Sequence, residues 1–195
     1  MANRSAEKTR VTSETTITCR LVLDGSGHVQ VSTGIGFFDH MLTALGKHAG
    51  FDVTLNCEGD LHIDDHHTVE DCALTLGACL DEALGDKRGI QRFGHAYVPL
   101  DEALVRAVVD LSGRPFPSIE MNLVREKLGE LACENIGHFF ESFAIAARMS
   151  LHVDVIKGRN DHHKAEAAFK AVARSLRDAV RLTESGQVPS TKGVL

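Results

Sequence analysis

Two stretches of this chain share the pattern Asp-His-His-x-x-Glu: Asp65 to Glu70 and Asp161 to Glu166. On a helix, residues four apart share a face, while neighbours point about 100° apart. His66 and Glu70 can therefore serve one ion while His67 turns elsewhere, and His162, Glu166 and His163 repeat the arrangement. Imidazole nitrogen with carboxylate oxygen suits manganese, iron, cobalt or zinc. Each helix half-builds two sites, which facing helices, or helices of neighbouring subunits, can complete. His40 and His138, at the ends of the preceding helices, each offer one more nitrogen. A lone histidine is more often a core or surface residue than a ligand, and only the repeated pattern shifts the weight toward metal binding. Asp65 and Asp161 are expected to be helix N-caps, with ligand orientation as the alternative.

Other residues carry weaker signals. His48 lies near the end of the helix that begins around His40, where it either caps the helix or lines a substrate pocket. His28, His62, His95 and His152 fall in strand-like or turn segments and read as structural. A basic set comprises Arg92, Arg114, Lys170 and the Ser190-Thr191-Lys192-Gly193 segment. Phosphate monoesters are held by arginine forks, lysine charge and hydroxyl or backbone donors. Taken singly, each of these is most often a solvated surface group.

The elements that must position these residues read as a duplication. Ile17, Cys19, Leu21 and Leu23 alternate, then come Asp24-Gly25-Ser26-Gly27 and Val29 and Val31, which predicts a hairpin. Phe38, Met41, Leu42 and Leu45 have helical spacing, stopped by Gly50, and Val53 and Leu55 follow as a short strand. A second helix starts near Asp65, with Val69, Ala73, Leu76, Leu80 and Leu84 on one face. The second half repeats the order, with strands near 96–98 and 104–111, a helix near 134–148, a strand at 151–156 and a helix from Asp161. The spacing from His40 to His138 nearly equals that from His66 to His162, as an internal duplication requires. The expected fold is α+β, with two β-β-α-β-α halves of about residues 10–90 and 91–186, each a sheet with helices on one face. A tail, 187–195, completes a single unit.

Composition narrows the function classes. Hydrophobic residues at 43% and charged residues at 25% fit a globular chain rather than a disordered one. No run approaches the roughly 18 apolar residues of a spanning helix, and residues 1–20 are polar, so a cytoplasmic protein without membrane attachment is expected. Five cysteines, odd in number and without a C-x-x-C pair, read as reduced core or near-surface thiols. A net charge of −6 argues against a nucleic-acid partner.

Five motifs resemble those of imidazoleglycerol-phosphate dehydratases. They are Gly36-Phe37-Phe38-Asp39-His40-Met41-Leu42, Asp65-His66-His67-Thr68-Val69-Glu70-Asp71, Leu111-Ser112-Gly113-Arg114-Pro115, Gly137-His138-Phe139-Phe140-Glu141-Ser142 and Asn160-Asp161-His162-His163-Lys164-Ala165-Glu166. The resemblance runs from about Arg10 to Leu195. It implies a fold like domain 2 of ribosomal protein S5 and conversion of imidazole glycerol phosphate to imidazole acetol phosphate and water in histidine biosynthesis. It further implies two manganese ions per active site, held by His40, His66, His67, Glu70, His138, His162, His163 and Glu166. Phosphate-binding roles fall on Arg92, Arg114, Lys170, Ser190 and Lys192. Glu14, and with it His48, become acid-base candidates, and for Glu14 that role rests on the resemblance alone. A closed homo-oligomer of about twenty-four subunits, with sites completed between neighbours, is implied as well.

The reaction explains such a site. The proton to be removed sits on a carbon with no carbonyl beside it, so the substrate's imidazole must act as the electron reservoir. Metal on the ring nitrogens would stabilise imidazolate, which can expel the neighbouring hydroxyl to give a diazafulvene. Glu14 or a metal-bound water would then move the next proton. Two rivals remain at the level of sequence. A dinuclear metallohydrolase would want more bridging carboxylates, and a metal-storage protein would have little use for Arg114 and Lys192.

Overall fold

The computed structural model describes residues 4–193 and 195. The first half runs β1 (Ser5–Val11), β2 (Thr15–Val22), β3 (Val29–Ser32), α1 (Gly36–Ala49), β4 (Asp52–Gly59) and α2 (His66–Leu84). The second runs β5 (Phe93–Leu100), β6 (Ala103–Asp110), β7 (Phe116–Glu120), a small ribbon of β8 (Lys127–Leu128) and β9 (Leu131–Ala132), α3 (Cys133–Ala146), β10 (Ser150–Lys157) and α4 (Asp161–Ala179). The sheets are ordered β1-β2-β4-β3 and β5-β6-β10-β7, so each half repeats the other strand for strand.

The β-β-α-β-α order is present in both halves, with one further strand in each four-stranded sheet and the β8–β9 ribbon added in the second half. Strand β1 escaped the apolar pattern because it is a sheet edge with a single buried residue, Ala6. Strand β7 is also an edge and contains Pro117, which lacks the N–H that a central strand must donate. The expected hairpin is corrected. β2 and β3 do not pair with each other, because β4 lies between them, antiparallel to β2 and parallel to β3. The Asp24–Gly27 segment crosses over the end of β4 and is fixed there by Asp52, whose Oδ1 accepts from the N–H groups of Ser26 and His28.

Alternation along β2 and β6 turns one face of each sheet inward. The four helices lie against those inward faces, α2 on β1 and β2, α4 on β5 and β6. Helices also pair across the halves, α1 with α4 and α2 with α3, as expected of a pseudo-twofold relation. One continuous hydrophobic core results. Its centre is aromatic, with Phe38 of α1, Phe139 and Phe140 of α3 and Phe169 of α4 joined at ring-centroid distances of 4.6–5.5 Å. Each such buried ring stabilises the fold by about 1.5–3 kcal/mol. Gly77 lets α2 and α3 approach closely: a Cβ there would lie 2.8 Å from the Phe143 carbonyl oxygen. All five cysteines are free and buried.

Candidate metal centre

The helix pairing decides what the histidines meet. His66 and Glu70 of α2 share a cluster with His138 of α3, and His162 and Glu166 of α4 share one with His40 of α1. In each cluster the three donor atoms lie within 4.8 Å of one another. Each therefore takes residues from both halves of the duplication. His138 Nε2 is 3.0 Å from Glu70 Oε1, and His162 Nε2 is 3.1 Å from Glu166 Oε2. Two imidazoles and one carboxylate, part-buried or exposed, fit a divalent transition metal with positions to spare. Manganese is within that range.

His67 and His163, adjacent in sequence, point away from these clusters. His67 Nδ1 lies 3.0 Å from Asp60 Oδ2, and its Nε2 is 3.6 Å from Glu14 Oε1. His163 Nδ1 lies 2.7 Å from Glu102 Oε2, and its Nε2 is 3.6 Å from Asp101 Oδ2. The carboxylate on Nδ1 raises the pKa of both imidazoles. Glu102 is correspondingly held at about 2, by His163 first and then by the N–H groups of Asn160 and Arg159.

The two motif aspartates are not caps. Asp65 is 7% exposed and makes no side-chain cap; its Oδ2 accepts from the Ala132 N–H at the start of α3. Asp161, 1% exposed, accepts from the N–H groups of Val124 and Arg125 and pairs with Lys164. Burial pushes its pKa up, but Lys164 and the two donors outweigh that and leave it lowered. Both side chains brace the segments that flank the site. The first N–H groups of the helices go instead to neighbours, Asp64 for His66 and Asn160 for His162. Sequence gave no reason to prefer one aspartate of the Asp64-Asp65 pair.

Lys170 stands apart from the other residues of the basic set within one chain. Lys170 Nζ is 2.6 Å from Glu166 Oε1. Burial alone would raise the Glu166 pKa, but Lys170 and His40 more than offset it and the net shift is downward. Lys170 and His48 share a cavity of about 340 Å³ with His95, Tyr97, Arg174 and Asp178. Burial, then Lys170 and Arg174, lower the His48 pKa. Arg92 lies at the other end of α4, where its N–H bonds the Ala179 carbonyl. Its guanidinium makes two bonds to Asp110, at 2.7 and 3.1 Å, and a third to the Pro189 carbonyl, which ties the tail down beside Ser190 and Lys192. Lys192 N–H reaches Ser190 Oγ at 3.2 Å. Arg114 sits in the loop after β6, its main chain tied to Ser112 and Ser150.

The model of the imidazoleglycerol-phosphate dehydratase family matches residues 33–176, which include all eight of the clustered and outward-turned motif residues. The chain belongs to this family. The dehydratase of Phytophthora nicotianae is 62% identical over 192 residues, 98% of this chain and 42% of that longer protein. That of Candida glabrata is 55% identical over 204 residues, covering 95% of this chain and 97% of its own. The crystal structure of the Staphylococcus aureus dehydratase superposes with a TM-score of 0.81 at 39% identity, covering 92% of this chain and 99% of that one. Family membership makes this an enzyme of the hydro-lyase kind, in histidine biosynthesis. Among the described residues, no helix is long and apolar enough to cross a membrane.

Within this dehydratase chain the side chains that surround the donors were not legible in sequence. Asn135 Oδ1 meets His66 Nδ1 at 3.1 Å, whereas the ring of Phe37 packs edge-on against His162 at 5.1 Å. Asn135 and Phe37 occupy the same place, three residues before His138 and His40. Only that pairing of positions, read through the duplication, could have drawn attention to them.

Proposed function

We propose that this chain converts imidazole glycerol phosphate to imidazole acetol phosphate and water, with two manganese ions per active site and sites completed between copies in a closed homo-oligomer of about twenty-four. The observation that carries the reading is the pair of two-histidine, one-glutamate clusters, each drawn from both halves of a dehydratase-family chain. His40, His162 and Glu166 would hold one ion and His66, Glu70 and His138 the other. Manganese, when bound, supplies a Lewis acid that lowers the proton affinity of the substrate's imidazole nitrogens.

The chain's own residues account for the rest. Removing water takes a hydroxyl from one carbon and a hydrogen from its neighbour, leaving an enol that becomes the ketone. Glu14 would move that proton; its Oε1 lies 3.6 Å from His67 Nε2 and its side chain is 47% exposed, which supports access to a substrate. Arg92, Arg114, Lys170, Ser190 and Lys192 would bind the phosphate and fix which hydroxyl faces the donors. Arg92 is bonded by its main chain to Ala179, about 13 Å along α4 from Lys170 at 1.5 Å per residue, and the two head groups are paired apart, with Asp110 and with Glu166. This separation, and the outward aim of His67 and His163, support completion of each site by another copy. The pocket shared by His48 and Lys170 adjoins the Glu166 cluster and supports a place for His48 near substrate.

The test is incubation of the purified protein, stripped by chelator and then given manganese, with imidazole glycerol phosphate. Ketone should form only after metal return. A folded, manganese-loaded protein that forms none would overturn the reading.

A further inference from the structure

The duplication supplies a test of which contacts were inherited and which were acquired. By position, Glu14, just before β2, corresponds to Glu102, just before β6. The residue after β4 is Asp60; its counterpart, after Gly158, is Arg159. Simple inheritance would place the same loop against the histidine in both halves. The halves differ: His67 Nδ1 is met from the loop after β4, by Asp60, and His163 Nδ1 from the loop between β5 and β6, by Glu102. The same bond is made twice from non-equivalent positions.

The bond has a defined consequence. An ionised carboxylate can only accept, so the hydrogen between the groups belongs to Nδ1. A neutral ring protonated at Nδ1 carries its lone pair on Nε2. The Glu102 carboxylate is itself held, Oε1 accepting from the N–H groups of Arg159 at 3.0 Å and Asn160 at 2.7 Å, and the main chain of Asp60 is fixed by its N–H to the Glu14 carbonyl at 3.1 Å. We infer that Asp60 and Glu102 are positioning residues that fix the tautomer and aim of His67 and His163, so that each presents Nε2 to an ion outside its own chain's three-donor cluster. The inference rests on the proposed metal reading and deepens it. A ligand that arrives from another copy gains most from such fixing, because its ring would otherwise be free to rotate at the chain's surface.

The experiment measures manganese rather than turnover. Metal affinity, by competition with a chelator, and the Mn(II) electron paramagnetic resonance spectrum are recorded for the intact protein and for Asp60→Ala, Glu102→Ala and Glu102→Gln. Each alanine variant should lose roughly 10- to 100-fold in affinity for manganese, with a changed spectrum. Glu102→Gln keeps an acceptor oxygen and should recover part of that loss, which a merely structural role would not produce. The melting temperature of the metal-free variants shows that they fold. If the parent protein binds manganese and the folded alanine variants bind it as tightly with the same spectrum, the positioning role is overturned while the metal reading stands. If the parent protein binds no manganese, both fall.

Discussion

The two donor clusters are copies of one another in their donor residues and not in their surroundings. Around His66, Glu70 and His138, a polar Asn135 touches the first histidine and Leu74 occupies the place four residues after the glutamate. Around His162, Glu166 and His40, Phe37 packs on the first histidine and Lys170 stands four residues after the glutamate, bonded to it. The loop carboxylates differ in the same sense. The Glu102 carboxylate takes part in three bonds, whereas the Glu14 carboxylate makes no hydrogen bond among the described residues and approaches His67 at 3.6 Å. The duplication carries two matching donor clusters; one half has a carboxylate without a hydrogen bond among the described residues and the other an added ammonium. A dehydration of a phosphorylated substrate needs both, a group to move a proton and a cation to hold an anion.

If that division is correct, the largest effect comes from the spare carboxylate. Glu14→Gln should lower turnover by about 10²–10⁴, the usual worth of a positioned acid or base, with two manganese ions still bound. Unchanged turnover in steady-state kinetics would remove Glu14 from the reaction. The division also presupposes one rigid frame for both clusters. Phe139→Ala should destabilise the fold by about 3–5 kcal/mol in denaturant titration and loosen both clusters together, since its ring touches α1 and α4 residues alike. Loss of one ion without the other would show that the halves are mechanically independent.

The ammonium comes next. Lys170→Met should raise KM for the phosphorylated substrate roughly tenfold, the scale of one charge-assisted bond, while Leu74→Ala at the matching place leaves it as it was. Equal effects would erase the distinction. The smallest effect is a pH dependence in the metal-free protein. The His163 pKa is raised above 6.5, so its contribution is full below that value and is lost as pH rises through the folded pKa. The Glu102 pKa is depressed from 4.5 to about 2, so its contribution is full above 4.5 and is lost as pH falls toward 2. The melting-temperature gap between the parent and Glu102→Gln should therefore be widest between pH 4.5 and 6.5 and narrow on both sides.

The pairing within each motif was legible because helical spacing is a local property: His66 beside Glu70, and His67 turned away, follow from 3.6 residues per turn. The α+β duplication was legible from apolar periodicity, which marks half-buried strands and amphipathic helices. What remained hidden depends on partners distant in sequence. Strand β1 is ordered by the edge of β2 rather than by its own apolar pattern, and the β2–β4 pairing that separates β2 from β3 leaves no local trace. Asp65 looked like a cap because aspartate before a helix usually is one; its actual bond reaches Ala132. The carboxylates behind His67 and His163 come from two unrelated loops, and no spacing within either motif announces them.

The most direct test of the whole account is the number of ions that restores turnover. Chelated protein is titrated with manganese while ketone formation from imidazole glycerol phosphate and bound metal are followed together. Two equal ligand sets serving one reaction predict that turnover rises to completion as the second ion per chain binds. Full turnover with a single ion per chain, or none with both bound, would contradict it.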